Sequence, residues 1–221
     1  MKKGVVFDLD GTLWDACAAI ADSWNEYLKK VRTDLEQYRL FVTESDIRRI
    51  CGRTMDAFGD EVFPQVPDAD VRRRLGEECC AYEVKYLKTA GGVLYPKLRE
   101  TLEKLHRKYH LYIVSNCQVG YIEDFLVWSQ TEGLFEDTED YGTTLKTKAD
   151  NIRLLLERNQ VNEAVYVGDT IMDYKSTCMA GLPFIHCRYG FGEVWDVPYV
   201  EKFSQLPDVI ASVFKEGEDL D

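Results

Sequence analysis

The 221 residues contain no apolar run long enough to cross a bilayer and no apolar segment ahead of the first predicted strand. These absences speak against a helical membrane span and for a cytoplasmic protein. No internal repeat and no low-complexity tract is present, which excludes a repeat array. The seven cysteines, Cys17, Cys51, Cys79, Cys80, Cys117, Cys178 and Cys187, include no C-x-x-C pair. An odd count without that spacing argues against a zinc site or a disulfide framework and for a reducing compartment. Basic residues are outnumbered, 27 against 39 acidic, for a formal net charge of −12, so neither nucleic acid nor an anionic membrane is an expected partner. An anionic substrate would need a locally positive point, and a bound cation is the obvious one. The three histidines, His106, His110 and His186, belong to no motif and read as structural or surface groups.

What is present is a globular composition, 45% hydrophobic and 30% charged, with enough length for one good core and a smaller second body. The most informative stretch is near the start. Gly4 to Phe7 is a short apolar run that reads as a buried strand, and it stops at Asp8 and Asp10. Strand side chains alternate faces, so these two carboxylates point the same way and can share one site. Gly11 allows a sharp turn with exposed amides, and Thr12 adds a hydroxyl. Clustered carboxylates at a strand end suggest a metal. An Asp-Gly turn closing a hairpin is the plainer alternative and would need neither Asp to be special.

From Trp14 the pattern becomes helical. Ile20, Trp24, Tyr27, Leu28 and Val31 recur at helical spacing, Thr43 opens a second helix, and a third runs from Asp68 to the Gly91-Gly92 pair. Residues 15–90 hold several helices and no convincing strand, and read as an inserted helical cap. The remainder, 1–14 with 91–221, alternates between helices and apolar runs: Leu111–Val114, a weak strand near Phe135, Ala164–Val167 and Phe184–Cys187. The fold class expected is α/β, a doubly wound, Rossmann-like parallel sheet carrying that α-helical cap. Ligands in such sheets lie beyond the carboxyl ends of the strands, and Asp8, Asp10, Ser115 and Asp169 all sit at such ends. The acidic stretch from Glu216 to Asp221 reads as a frayed end.

Asp8-Leu9-Asp10-Gly11-Thr12 resembles the first motif of the haloacid dehalogenase superfamily, whose members are mostly Mg²⁺-dependent phosphatases. Ser115 resembles the second motif, Lys148 the basic third, and Gly168-Asp169-Thr170-Ile171-Met172-Asp173 the fourth, GDxxxD, so the likeness spans nearly the whole chain. It implies that Asp8 is a nucleophile forming an aspartyl phosphate and that Asp10 is the general acid and base. It implies that Lys148 offsets charge, and that Thr12, Ser115 and Asn116 bind the phosphoryl group. Mg²⁺ would be held by Asp8, Asp169 and the Asp10 backbone carbonyl, with Asp173 one helical turn from Asp169 and either contacting the metal or orienting Lys148. Lys146 is the alternative to Lys148, because Lys-Thr-Lys permits a register error.

Dehalogenases of the superfamily lack the aspartate present here as Asp10. The β-phosphoglucomutase type carries a histidine where this chain has Ile20 and commonly valine where it has Thr12. Cap position and Thr12 look most like the phosphoglycolate phosphatase-like branch. The expectation is therefore hydrolysis of a small phosphomonoester by a monomer or homodimer. A phosphosugar mutase, or a catalytically silent binding protein of the same fold, is the alternative. Arg53 is the candidate for a substrate contact from the cap, while Arg48, Arg49 and Arg72 to Arg74 read as solvated helix faces.

Overall fold

The structure, a computed structural model, describes residues 1–216. The expectation for the acidic tail falls almost wholly outside them. Strand β1 (Lys3–Phe7) is followed by a two-residue strand, β2 (Trp14–Asp15), and by helix α1 (Cys17–Lys30). Then come α2 (Glu44–Ile50), α3 (Phe58–Val62) and the long α4 (Ala69–Ala90). The chain returns through β3 (Val93–Leu94) to α5 (Leu98–His106), β4 (His110–Ser115), α6 (Tyr121–Ser129), β5 (Asp137–Asp140), α7 (Tyr141–Thr144) and α8 (Lys148–Arg158). It ends with β6 (Glu163–Gly168), α9 (Ile171–Ala180), β7 (Phe184–Cys187), β8 (Tyr199–Val200) and α10 (Leu206–Glu216). Among the described residues no helix is long and apolar enough to cross a membrane.

Six strands form one sheet in the order β5-β4-β1-β6-β7-β8, and every neighbouring pair is parallel. β1 lies centrally and is apolar on both faces, as a strand covered by helices on each side must be. Val5 and Phe7 join one buried cluster and Val6 the other, which is the alternation of a strand made visible. Strand order reverses between β1 and β6, so the crevice of this sheet opens where those two strands end.

One expectation changes and two edge strands are refined or added. The helix expected from Trp14 starts only at Cys17, because Trp14 and Asp15 pair antiparallel with Leu94 and Val93. The two chain passes joining cap and core thus form a small ribbon. The weak third strand lies at Asp137–Asp140, just past Phe135; it is an edge strand with little apolar signal, and Arg158 pairs with its Asp137 and Glu139. A further edge strand, β8, is too short to leave a pattern of its own.

The cap packs through α1 and α4. Trp24 stacks on Phe63 with centroids 5.9 Å apart, Tyr27 meets Tyr82 at 5.3 Å, and Leu75, Cys79 and Leu87 are buried. α2 starts at a capping box between Thr43 and Asp46, and α4 at Asp68, whose carboxylate accepts from the amides of Asp70 and Val71. α4 ends at Gly91, where φ is +61° and a Cβ would lie 1.9 Å from the Trp128 ring. Gly91→Ala is therefore expected to destabilise the protein by about 2 kcal/mol and to displace Trp128. Urea denaturation and tryptophan fluorescence would read both, and an unchanged midpoint would refute the packing argument.

Candidate active site

The end of β1 is held against the end of β6, where the Asp8 amide donates to the Val167 carbonyl at 2.9 Å. Asp8 is 3% exposed, and Asp169 and Asp173 are fully buried. The ammonium of Lys148, itself buried, donates to Asp8 Oδ1 at 2.8 Å and to Asp173 Oδ1 at 2.6 Å. Burial alone would lower the lysine pKa, but the charges of Asp173 and Asp8 outweigh it, raising that pKa well above the usual value and keeping the ammonium charged. Burial, then the Asp173 charge, push Asp8 up to about 6 against the pull of Lys148. Lys148 is the first residue of α8, where a positive charge meets the unfavourable end of the helix dipole. The two carboxylates offset that cost. Lys146 is exposed, so burial separates the two lysines that the sequence left in competition.

Asp169 and Asp173 are not related by one helical turn. Asp169 lies before α9, Thr170 is its N-cap, and Asp173 occupies the third helical position in a capping box. Asp173 Oδ2 accepts from the Thr170 amide at 3.0 Å and hydroxyl at 2.6 Å, while Oδ1 takes Lys148. Both oxygens are engaged in fixing other groups. Asp169 Oδ2 accepts from the Phe191 amide at 2.7 Å, whereas its buried Oδ1 has no hydrogen-bond partner among the described residues. Carboxylate oxygens of Asp8, Asp169 and Asp173 lie within 4.8 Å of one another. Three buried carboxylates share one ammonium, which leaves an excess of negative charge, and burial followed by the Asp173 and Asp8 charges raises Asp169 well above its ordinary value. An all-oxygen set with an unpartnered oxygen fits a hard divalent cation. The backbone closes tightly around it: a Cβ on Gly11, where φ is +80°, would fall 2.1 Å from Asp169 Oδ2.

A cavity of about 40 Å³ opens beside this cluster between strand ends and cap. Asp8, Asp10, Ser115, Asn116 and Arg53 line it. Asp10 keeps a partly accessible face and accepts from the Tyr121 hydroxyl at 2.8 Å; burial, the largest influence, pushes its carboxyl up to about 8. Ser115 ends β4 and is buried. The Asn116 amide group donates to the Gly52 carbonyl of the cap at 2.9 Å. Thr12 is buried with an unpartnered hydroxyl and does not line the cavity; the Tyr189 hydroxyl donates to its carbonyl at 2.8 Å. Arg53 is exposed and ion-paired with Glu61. Arg48 is exposed and pairs with Glu44 along its helix face, as expected, but it also reaches across to the core. It pairs with Asp15 and lies 4.9 Å from the Phe191 ring centroid, joining cap to core. Arg72 likewise braces the loop before α4, donating to the Val66 and Pro67 carbonyls.

Sequence reading missed several neighbours of the site. Tyr121, Gln118 and Glu83 line the cavity, and His186 Nε2 lies 3.1 Å from the Asp169 carbonyl and 3.2 Å from that of Gly192, bracing the loop that holds the aspartate. None of them stands in a motif. Glu83, one place beyond the apolar Tyr82 of α4, gives only the weak signal of an acid close to a buried stripe.

Lys148→Met would leave Asp8 and Asp173 buried without their cation and is expected to cost about 3–5 kcal/mol in chemical denaturation. Lys146→Met, on the surface, should shift stability by less than about 0.5 kcal/mol. Equal effects would contradict the assignment of the buried lysine.

The family model for haloacid dehalogenase-like hydrolases matches residues 5–187. Among curated proteins, the phosphoglycolate phosphatase of Nitrosospira multiformis is 29% identical over 205 residues, covering 88% of this chain and 87% of its own. A haloacid dehalogenase-like family protein of Streptococcus pneumoniae, 21% identical, superposes with a TM-score of 0.74 over 96% of this chain and 98% of its own. A 2-haloacid dehalogenase of Pseudomonas syringae, 20% identical, does so at 0.65 over 96% and 100%. At those identities the structural likeness speaks for the fold alone, and the fold hosts both carbon-halogen and phosphate ester hydrolases. The family match over most of the chain goes further: the protein belongs to the haloacid dehalogenase-like hydrolases.

Proposed function

We propose that the protein is a Mg²⁺-dependent phosphatase of small phosphomonoesters that works through an aspartyl phosphate on Asp8. The observation that carries this reading is the charge arrangement at the end of β1: a buried nucleophile candidate bonded to a buried ammonium, beside a second carboxyl that faces the same cavity. Asp8 would attack phosphorus while the ester P–O bond breaks and Asp10 gives its proton to the leaving oxygen. The Asp10 carboxylate would then take a proton from the water that attacks phosphorus, and the bond to Asp8 breaks as inorganic phosphate leaves. Lys148 offsets charge on the transferring group, Ser115 and the backbone N–H of Asn116 bind its oxygens, and Asp173 holds Lys148 in place. Asp8, Asp169 and the Asp10 backbone carbonyl would hold Mg²⁺, which would supply positive charge to offset that of the phosphate.

The same reading divides the chain into a catalytic core, 1–14 with 91–221, and a cap, 15–90, with the β2–β3 ribbon at the crossing. Opening of the cap about that ribbon would admit the ester, and closure would exclude water competing with the leaving group. A mutase is disfavoured by Ile20, which is buried, lines the cavity and offers no proton-transferring atom. Seven free cysteines support the cytoplasmic placement.

Phosphate release from a panel of small esters, with Mg²⁺ and with EDTA, tests the proposal. Turnover should vanish with chelator, return with added Mg²⁺, and fall by at least about 10³-fold in folded Asp8→Asn. Full activity in that variant, or no release from any ester, would sink the reading.

A further inference from the structure

Glu83 lies on α4 at the cavity, 3% exposed. Its carboxylate accepts from the indole N–H of Trp24 and, at 2.5 Å, from Nε2 of Gln118, which joins cap to core. Both donors are neutral. Among the described residues no lysine or arginine pairs with it, and burial, opposed by these two hydrogen bonds, pushes its carboxyl up to about 7. A carboxylate offers about four lone-pair positions, so two donors leave acceptor capacity on a side chain that lines the cavity.

Beside Glu83 the lining includes the apolar side chains of Ile20, Trp24, Ile47, Ile50 and Phe58, while the polar groups of Tyr121 and Gln118 are engaged by Asp10 and Glu83. Arg53, the lining residue with a cationic side chain, is occupied by Glu61. A carboxylate on the alcohol part of an ester would therefore lose its hydration, find no free cation and approach Glu83. A hydroxyl or an ammonium would find an acceptor instead. We propose that Glu83 is a leaving-group subsite, accepting a hydrogen bond from a hydroxyl or ammonium group on the alcohol and selecting against alcohols that carry a carboxylate. The inference rests on the phosphomonoesterase reading above and makes phosphoglycolate, despite the names of the relatives, a poor substrate.

The test is a panel matched in size: 2-hydroxyethyl phosphate, phosphoethanolamine, propyl phosphate and phosphoglycolate, with phenyl phosphate as a general reference. Wild-type kcat/KM for the hydroxyl or the ammonium ester is expected to exceed that for phosphoglycolate by at least about 10-fold, and that for propyl phosphate by a smaller factor. Which of the two donor esters ranks first tells whether a neutral or a charged donor is preferred. Glu83→Gln, verified as folded by circular dichroism, should raise the use of phosphoglycolate relative to the donor esters by at least about threefold. The wild-type ranking stands alone if that variant does not fold. Phosphoglycolate equal to or better than the donor esters, or propyl phosphate equal to both, overturns the subsite while turnover of any ester leaves the phosphatase reading intact. No turnover of any ester, phenyl phosphate included, overturns both.

Discussion

The ammonium of Lys148 sits between Asp8 and Asp173 with all three side chains buried, and the rest of the site is arranged around that contact. Charges so placed are costly to desolvate, and they persist only if each finds a partner of good geometry. The lysine supplies one for Asp8, the capping box of α9 fixes Asp173, and the loop after β7 supplies an amide to Asp169. What remains uncompensated is an excess of negative charge and one unpartnered oxygen on Asp169. That residual points to a cation, and the hydrolase family to which the chain belongs is consistent with one.

Sheet topology makes the contact possible. β1 lies between β4 and β6, so Asp8 and Asp10 come off its end beside Ser115 on one side and Asp169 on the other. Helices α8 and α9 then bring Lys148 and Asp173 over the same edge. Residues far apart in sequence meet because parallel strands point their carboxyl ends in one direction.

The cap contributes a different kind of chemistry. It closes the cavity with apolar side chains and reaches the core through a few polar contacts: Asn116 to Gly52, Gln118 to Glu83, the Tyr141 hydroxyl to Asp56 at 2.6 Å, and Arg48 over Phe191.

The sequence by itself determined the alternation of strands and helices, the helical insertion after the first strand, and the carboxylates at strand ends, because each is written in local periodicity or in a short motif. Capping at Thr43, Asp68 and Thr170 follows from side chains within three residues of the backbone they satisfy. Only the tertiary structure shows that Lys148 is buried against Asp8 while Lys146 is exposed. It also placed Asp173 by a capping box rather than a helical turn, turned Arg53 toward Glu61, left Thr12 outside the cavity, and brought Glu83 and Gln118 into it. The β2–β3 ribbon and the edge strand β8 were illegible for a related reason. Two residues carry no period, and their pairing partners lie elsewhere in the chain.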